Sequence, residues 1–450
     1  MSRPPAISED ARKLVHLSFG AGALLLRWLP WFEATMLASF AVCFNIWGLH
    51  RLGGASLFRP DEHGRRRIKS GIVLYPAAVV GLLQVLPERL DIVAAAWGVL
   101  AVGDGTANLV GRRFPIRPIP WNAKKSVGGS LAFILFGSAA ASGLLMWCAG
   151  ELMPPAYAWF PIVAGILAAV VAAAVETVPI SLDDNVTIAA TAAAVMWTVS
   201  IVSEDLAIRA AIGPVVGLAI ALGLNIAIAV AGYLARTVSR SGAVAGAVIG
   251  TVILATTGWT GWALLLVTFV VAVIATRMGL GRKVALGIEE DRGGRRGAGN
   301  AIANTGFAAA AAVVSAVSYA HEPGLLAFAA ALIAGSSDTV ASEIGKAWGK
   351  RTLLVTNREQ VKAGTPGAMS LEGTLAGVVA ASLLAVVAWG LGLVGPHAIL
   401  AIAVGATVGS LFESIIAAGF EREGVVNNDV LNFINTAMAA YVAIKVMALL

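Results

Sequence analysis

Two stretches of this chain carry acidic, polar and basic side chains at intervals of four residues within apolar sequence. The two sets are Asp104, Asn108 and Arg112, and Asp338, Ser342 and Lys346. Because residues four apart lie on the same face of a helix, each set predicts a polar stripe on an otherwise apolar helix. At a rise of about 1.5 Å per residue, the carboxylate of each stripe lies roughly 12 Å from the basic residue along the helix axis.

A carboxylate placed this deep in an apolar helix needs a partner or a function. A charged group near the middle of a bilayer costs about 2.5–3.5 kcal/mol on insertion scales. Mg²⁺ prefers carboxylate and carbonyl oxygens and bridges substrate phosphates, and lysine and arginine side chains neutralise phosphate charge. The residue types therefore indicate phosphoryl or nucleotidyl transfer, in which positioning and electrostatics supply most of the catalysis.

Further acidic groups, basic groups and small-residue turns accompany both stripes. The acidic groups are Asp104, Glu176, Asp183 and Asp184 in the first half, and Asp338, Glu343, Glu413 and Asp429 in the second. After the first stripe come Lys124 and Lys125 and the turn Gly128-Gly129-Ser130, which precedes an apolar run. Helix N-termini with small residues present backbone N–H groups to anions, so this turn is a candidate phosphate site.

The second half repeats the order of these features. The corresponding segments are Ser126–Ser130 and Ser370–Thr374, Asp183–Val186 and Asn427–Val430, and the single residues Gly111 and Gly345, and Glu176 and Glu413. This correspondence predicts an internal duplication of one structural unit.

The composition is that of a membrane protein. The 450 residues are 58% hydrophobic and only 13% charged, with a mean hydropathy of +0.82, whereas soluble domains carry about 25% charged residues. The two cysteines, Cys43 and Cys148, lie in apolar runs and indicate neither a disulfide framework nor a zinc site. We expect no cleavable signal peptide before the first span.

Apolar runs and their breaks predict an all-α polytopic protein of about fifteen transmembrane helices. The predicted helices are 14–30, 31–49, 70–87, 90–111, 128–149, 157–180, 186–203, 209–235, 241–257, 260–277, 299–318, 324–345, 372–394, 397–420 and 430–450. All of the lysines and arginines except Arg27, Arg89, Arg209 and Lys445 then fall on one side. The positive-inside rule makes that side cytoplasmic, so the predicted sites face the cytoplasm of a multi-pass cell (inner) membrane.

The helices form two seven-helix repeats of the same orientation, joined by a linker helix. The predicted domains are residues 1–205, the linker 206–240 and residues 241–450. The basic loop around Gly64-Arg65-Arg66 corresponds to Gly294-Arg295-Arg296 in this alignment. Many secondary transporters are built instead from inverted repeats, so the parallel repeat favours an enzyme.

The first half, about residues 10–205, resembles the dolichol kinase and phytol kinase family, relatives of the phosphatidate cytidylyltransferases. The resemblance rests on Arg12–His16, Gly103–Asn108 with Gly111-Arg112, Lys125–Ser130, Glu176 and Asp184-Asn185. The second half, about 210–450, resembles phytyl-phosphate kinase and its transmembrane relatives. Its matching residues are Gly294–Arg296, Asn300, Asn304, Asp338–Gly345, Gly364–Gly367, Ser370–Thr374 and Asn427–Asp429.

The resemblance implies that a prenyl alcohol is converted to its monophosphate and then to its diphosphate, with CTP as the phosphoryl donor and Mg²⁺ as cofactor; ATP, GTP or UTP remain open as donors. The catalytic residues it suggests are Asp104, Glu176, Asp184, Asp338, Glu343 and Glu413. The suggested metal ligands are Asp104, Asp183, Asp184, Asp338 and Asp429. The suggested nucleotide-binding residues are Asn108, Arg112, Lys124, Lys125, Ser126, Gly128, Gly129, Ser130, Asn185, Arg295, Arg296, Asn300, Asn304, Ser342, Lys346, Gly364, Thr365, Ser370, Gly373, Thr374, Asn427 and Asn428.

Two other functions are compatible with these residues. A cytidylyltransferase that makes a CDP-lipid uses the same metal and nucleotide groups. A transporter or lipid exporter relays protons or ions through its buried carboxylates, which then need access to both faces of the membrane. Phytol, geranylgeraniol and longer polyprenols all suit an apolar lateral groove, so the residues leave the chain length of the alcohol open.

Overall fold

A computed structural model gives the fold. It describes residues 9–49, 51, 70–114, 116–119, 122–149, 159–178, 182–203, 205–206, 208, 215–288, 295–421 and 426–450. The chain divides into two compact units, Met1–Ser200 and Ile201–Leu450. Residues Gly64–Arg66, Arg209 and Gly294, which entered the predictions above, lie outside the described residues.

The first unit is built from helices and one short hairpin. Its α-helices are α1 (Glu9–Phe19), α2 (Trp31–Cys43), α3 (Gly71–Val85), α4 (Leu90–Gly98), α5 (Gly105–Arg113), α6 (Val127–Ala149), α7 (Phe160–Thr177) and α8 (Asp184–Ser200). A 3₁₀ segment (Gly20–Arg27) continues α1, and π-helical segments follow α2 (Phe44–Gly48) and join α4 to α5 (Val99–Asp104). The antiparallel strands β1 (Pro118–Ile119) and β2 (Asn122–Ser126) precede α6.

The second unit is likewise built from helices and one short hairpin. Its α-helices are α9 (Val215–Leu234), α10 (Arg240–Arg277), α11 (Leu280–Leu286), α12 (Ala298–Val317), α13 (His321–Trp348), α14 (Leu371–Gly390), α15 (Ala398–Ile416) and α16 (Asn428–Met447). The antiparallel strands β3 (Thr352–Leu354) and β4 (Ala368–Ser370) precede α14, and a π-helical segment (Ala417–Glu421) follows α15.

The structure confirms the all-α polytopic fold, but not fifteen full-length spans. Ten of the described helices are long and apolar enough to cross a membrane, and Gly71–Val85 is a shorter apolar helix. The predicted spans 241–257 and 260–277 belong to α10, which is broken at Gly258 (φ +67°, ψ −164°). Only glycine adopts such a backbone conformation easily, so each side of Gly258 is a separate helical segment.

The helices that carry the two polar stripes lie at the centre of their units. The spans Leu90–Arg113 and His321–Trp348 are each 72% buried, compared with 11% for the span in α9. Both contain a run of buried alanines, Ala94–Ala96 and Ala329–Ala331, which are 0% exposed. Small side chains allow neighbouring helices to approach closely, and this packing holds the stripes in the interior.

The junction between hairpin and helix has the same local form in both units. The Ser126 hydroxyl accepts a hydrogen bond of 3.2 Å from the Gly129 N–H, and the Ser370 hydroxyl accepts one of 3.2 Å from the Gly373 N–H. Serine is a preferred N-cap because its oxygen satisfies a free N–H of the first helical turn. The correspondence agrees locally with a duplication, although the two-repeat layout as a whole stays a prediction.

Candidate functional site

The first unit contains a cavity of about 720 Å³ with a polar end and an apolar wall. Its polar end is formed by Arg12, Lys13, His16, Asp104, Asn108, Lys125, Asp183, Asp184 and Asn185. Its wall includes Phe19, Leu26, Leu37, Phe40, Tyr75, Val79, Leu83 and Trp97. A cavity of this kind suits a molecule with a long apolar chain and one small polar group.

Asp104 lies at the polar end and is paired with residues from the start of the chain. Its side chain is buried, and the Lys13 Nζ lies 2.5 Å from the Asp104 Oδ2. His16 Nε2 lies 3.5 Å from the same oxygen and 3.1 Å from the Leu100 carbonyl oxygen. Lys13 thus offsets the cost of burying the Asp104 charge.

Lys13 and His16 were missing from the predicted site residues. They lie 91 and 88 positions before Asp104, so no spacing rule connects them to it. The only sequence signal for them is the segment Arg12–His16, which the family resemblance had already singled out.

Lys125 joins two of the predicted carboxylates. Its Nζ donates hydrogen bonds of 2.6 Å to the Glu176 Oε1 and 2.9 Å to the Asp184 Oδ2. Burial of the ammonium opposes its charge, but the attraction of the two carboxylates is stronger, so the pKa of Lys125 is raised. Lys125 therefore stays charged at neutral pH and sits at the polar end of the cavity as a fixed cation.

Asp183 and Asn185 form a compact turn at the start of α8. The Asp183 Oδ1 accepts hydrogen bonds from the Asn185 backbone N–H (3.0 Å) and from the Asn185 Nδ2 (2.6 Å). Burial raises the pKa of Asp183 despite these hydrogen bonds, which lower it. This turn places the Asp183 and Asp184 side chains at the rim of the cavity.

Several predicted residues of the first half do not line this cavity. They are Arg112, Lys124, Ser126, Gly128, Gly129, Ser130 and Glu176. Arg112 and Lys124 are exposed, and Glu176 reaches the polar end only through Lys125.

Close packing explains why residues 128 and 129 are both glycines. Gly128 packs against Phe114, the residue after α5, and Gly129 packs against α5 itself. A Cβ on Gly128 would lie 2.3 Å from the Phe114 carbonyl oxygen, and one on Gly129 would lie 2.9 Å from the Ala107 carbonyl oxygen. No larger residue fits at either position without moving the backbone.

The second unit contains a cavity of about 640 Å³ whose lining is mostly polar. All but one of the predicted site residues of the second half line it. They are Arg295, Arg296, Asn300, Asn304, Asp338, Ser342, Lys346, Gly364, Thr365, Ser370, Gly373, Thr374, Glu413, Asn427, Asn428 and Asp429.

Among the residues that the structure describes, two buried oxygen atoms of side chains lining this second cavity have no donor in hydrogen-bond geometry, although the Asn435 side chain lies near Glu413. They are the Glu413 Oε2 and the Asn300 Oδ1. Asp338, in contrast, accepts a hydrogen bond of 2.6 Å from the Ser410 hydroxyl. Ser410 was not among the predicted site residues. Buried polar atoms without a partner are costly, so unpaired oxygens in a cavity are expected to contact a cation or a donor group of a ligand.

Glu343 is the exception, because the structure places it behind the second cavity. Its carboxylate pairs with Lys283, and the Lys346 Nζ lies 3.2 Å from the Glu343 Oε1. Lys283 and Glu343 are almost fully buried, with side chains 1% and 2% exposed. Lys346 lines the cavity, so Glu343 contacts a cationic residue of the site. Glu343 itself does not line the cavity, whereas the sequence prediction gave it a catalytic role.

The donor atoms at these sites are chemically suited to a hard cation such as Mg²⁺. Among the residues the structure describes, no group of three His, Cys, Asp or Glu side chains is placed to hold a metal ion. However, Mg²⁺ is commonly held by one or two carboxylates together with water and substrate phosphates. The Asn108 Oδ1 in the first unit, beside Asp104 in the cavity, is a further buried oxygen without a partner.

Comparisons with known proteins place the chain among integral membrane proteins. The sequence profile of the integral membrane protein family DUF92 matches residues 223–440. An uncharacterised membrane protein of Synechocystis is 39% identical over 44% of this chain and 77% of its own length. Protein VTE6, chloroplastic, of Arabidopsis thaliana is 41% identical over 42% of this chain and 58% of its own length.

Other similar proteins carry kinase names. The probable phytol kinase 3, chloroplastic, of Glycine max is 33% identical over 39% of this chain and 59% of its own length. Weaker similarities include a farnesol kinase and a phytol kinase of Arabidopsis thaliana. No solved structure matches the chain.

Proposed function

We propose that this chain, which belongs to the DUF92 family of integral membrane proteins, is a membrane kinase that phosphorylates isoprenoid alcohols. The observation that carries the proposal is the first cavity, whose apolar wall leads to a buried carboxylate with a cationic partner. Similar proteins named phytol kinase and farnesol kinase support the same class of substrate.

In the first unit, the apolar wall of the cavity would hold the isoprenoid chain and direct its hydroxyl group toward Asp104. The hydroxyl oxygen attacks the γ-phosphorus of a nucleoside triphosphate, the bond from that phosphorus to its bridging oxygen breaks, and the hydroxyl proton passes to Asp104. Lys125 would neutralise the triphosphate. General-base assistance of this kind contributes about 10²–10⁴-fold to a rate.

In the second unit, the polar cavity would take the resulting alkyl monophosphate and add a second phosphoryl group. Arg295, Arg296 and Lys346 line this cavity and supply the positive charge that two phosphate groups require. The chain would then perform both steps, with CTP as the donor. Mg²⁺ held by Asp338, Glu413 and the Asn300 Oδ1, or by Asp104 and the Asn108 Oδ1, would neutralise charge that develops on the transferring phosphate.

The first experiment is a product assay with purified protein, Mg²⁺, γ-labelled CTP and phytol or geranylgeraniol. We expect label to appear first in a lipid monophosphate and then in a diphosphate. Release of pyrophosphate together with a CDP-lipid would instead indicate a cytidylyltransferase. The absence of labelled lipid with every nucleotide would contradict the kinase and favour a transporter.

A Lys125→Met substitution tests the role assigned to the fixed cation. Without Lys125, Glu176 and Asp184 repel the triphosphate, so we expect the KM for the nucleotide in the alcohol kinase step to rise about 10–100-fold, the range that corresponds to losing one charged hydrogen bond. The control is Arg113→Met, which removes an exposed cation of the same unit that does not line the cavity. Equal KM values in the two variants would contradict the assignment.

A further inference from the structure

A third, smaller cavity of about 140 Å³ lies in the second unit between helices α9, α10, α12 and α13. Its lining is mainly apolar or small, and includes Ile228, Gly246, Leu265, Phe269 and Leu332. We call it the side cavity. It is a narrow space between helices that suits part of an alkyl chain.

The side cavity adjoins the polar cavity of the same unit and shares lining residues with it. Arg296, Asn300 and Asn304 line both of them. The buried Asn300 Oδ1, which has no hydrogen-bond donor, belongs to this shared wall. A molecule that fills both spaces therefore needs an anionic or polar head on one side of these residues and an apolar chain on the other.

A polar contact joins α9 and α10 beside the side cavity, whose lining includes Asn225. The Trp262 Nε1 donates a hydrogen bond of 3.0 Å to the Asn225 Oδ1, and the Asn225 Nδ2 donates one of 2.9 Å to the Ala221 carbonyl oxygen. Asn225 is only 5% exposed.

The flank of the side cavity is open toward the lipid. Gly246 lines it and is exposed, and a Cβ at this position would meet no other atom within 4 Å. The span in α9, which forms one wall, is only 11% buried. A chain that enters the side cavity can therefore leave it between α9 and α10 into the bilayer.

We propose that the side cavity holds the first part of the isoprenoid chain of an alkyl monophosphate, while its phosphate lies in the polar cavity beside Arg296. This inference rests on the proposed second phosphorylation step and locates its lipid substrate. It also gives α9, which the sequence analysis treated as a linker, a direct role as a wall of the lipid site. The charge of Arg296 matches the phosphate, and the apolar lining matches the chain.

The test measures binding without turnover. Purified full-length protein is mixed with phytyl monophosphate that carries a photoreactive diazirine in the chain near the phosphate, with no nucleotide present, and the labelled peptides are identified by mass spectrometry. We expect labelling of the helices that line the side cavity, which are α9, α10, α12 and α13. The variant Gly246→Phe, or the smaller Gly246→Leu, fills the open flank and should weaken labelling about tenfold, because each buried methylene group contributes to affinity. Butyl phosphate, which lacks the long chain, should compete poorly with the probe.

The matched control is Gly223→Phe. Gly223 lies in α9 with no atom within 4 Å of an added Cβ, is exposed, and does not line the side cavity. Labelling as in the unmodified protein is expected for this control. Labelling outside the four helices that line the side cavity, no labelling at all, or equal labelling in Gly246→Phe, Gly246→Leu and Gly223→Phe would overturn the inference.

These outcomes are separate from those of the kinase assay. If the protein is labelled as expected but transfers no phosphate, the lipid site is supported and the proposed function is contradicted. If the protein makes the diphosphate but is labelled elsewhere, the proposed function is supported and this lipid site is contradicted.

Discussion

Replacing Asp104 with Asn is expected to abolish conversion of the alcohol to its monophosphate and to leave conversion of the monophosphate to the diphosphate unchanged. Asparagine has almost the same shape as aspartate but cannot accept the hydroxyl proton, and the Lys13 Nζ, 2.5 Å from the Asp104 Oδ2, loses its anion. The alcohol kinase rate should fall about 10²–10⁴-fold. Each activity is measured separately, by supplying either the alcohol or the monophosphate with labelled CTP.

Two variants serve as controls for Asp104→Asn. Asp338→Asn should give the reciprocal result, because Asp338 lines the polar cavity of the second unit. Asp91→Asn removes a carboxylate of the first unit that pairs with Arg89 at 2.9 Å and does not line the cavity, so both activities should remain. Loss of both activities in Asp104→Asn, in a protein with an unchanged unfolding temperature, would contradict two independent sites.

Replacing Glu343 with Gln is expected to destabilise the second unit strongly. The Lys283 ammonium would remain buried, at 1% exposure, without its carboxylate partner. Removing one partner of a buried ion pair costs about 3–5 kcal/mol of unfolding free energy. Thermal or denaturant unfolding in detergent measures this loss. The surviving folded protein should also bind the monophosphate more weakly, because Lys346 loses its contact with the Glu343 Oε1.

A double variant and a surface variant separate the buried charge from other causes. Lys283→Met combined with Glu343→Gln removes the unpaired ammonium, so it should recover much of the stability lost in the single variant. Glu322→Gln changes an exposed glutamate in the first turn of the same helix, α13, and should have little effect. Equal stabilities of Glu343→Gln and Glu322→Gln would show that the buried pair contributes nothing.

Local sequence patterns were sufficient for the all-α polytopic fold, whereas the roles of the candidate residues stay predictions. Helix formation depends on hydrophobic runs and on breaks at glycine, proline and charged residues, all of which are visible in a short window of sequence. The prediction that Ser370–Thr374 opens a helix is confirmed, since Ser370 caps α14. The two segments of α10 also follow from sequence, because the break falls at Gly258.

The partners of the buried charges could not be found in this way. Lys13 pairs with Asp104 across 91 positions, and Lys283 pairs with Glu343 across 60. A lysine in a basic segment looks the same in sequence whether it faces water or pairs with a buried carboxylate. Only the packing of α1 and α11 against the stripe helices distinguishes the two cases.

The sequence by itself determined that this is a helical membrane protein with two polar stripes, because hydropathy and helical period are properties of neighbouring residues. The tertiary structure decided which stripe residues face a cavity. It buried Asp104 beside Lys13, left Arg112 exposed, and placed Glu343 behind the polar cavity. The physical reason is that a helix presents several faces, and only its contacts with other helices determine which face is enclosed and which charges meet there.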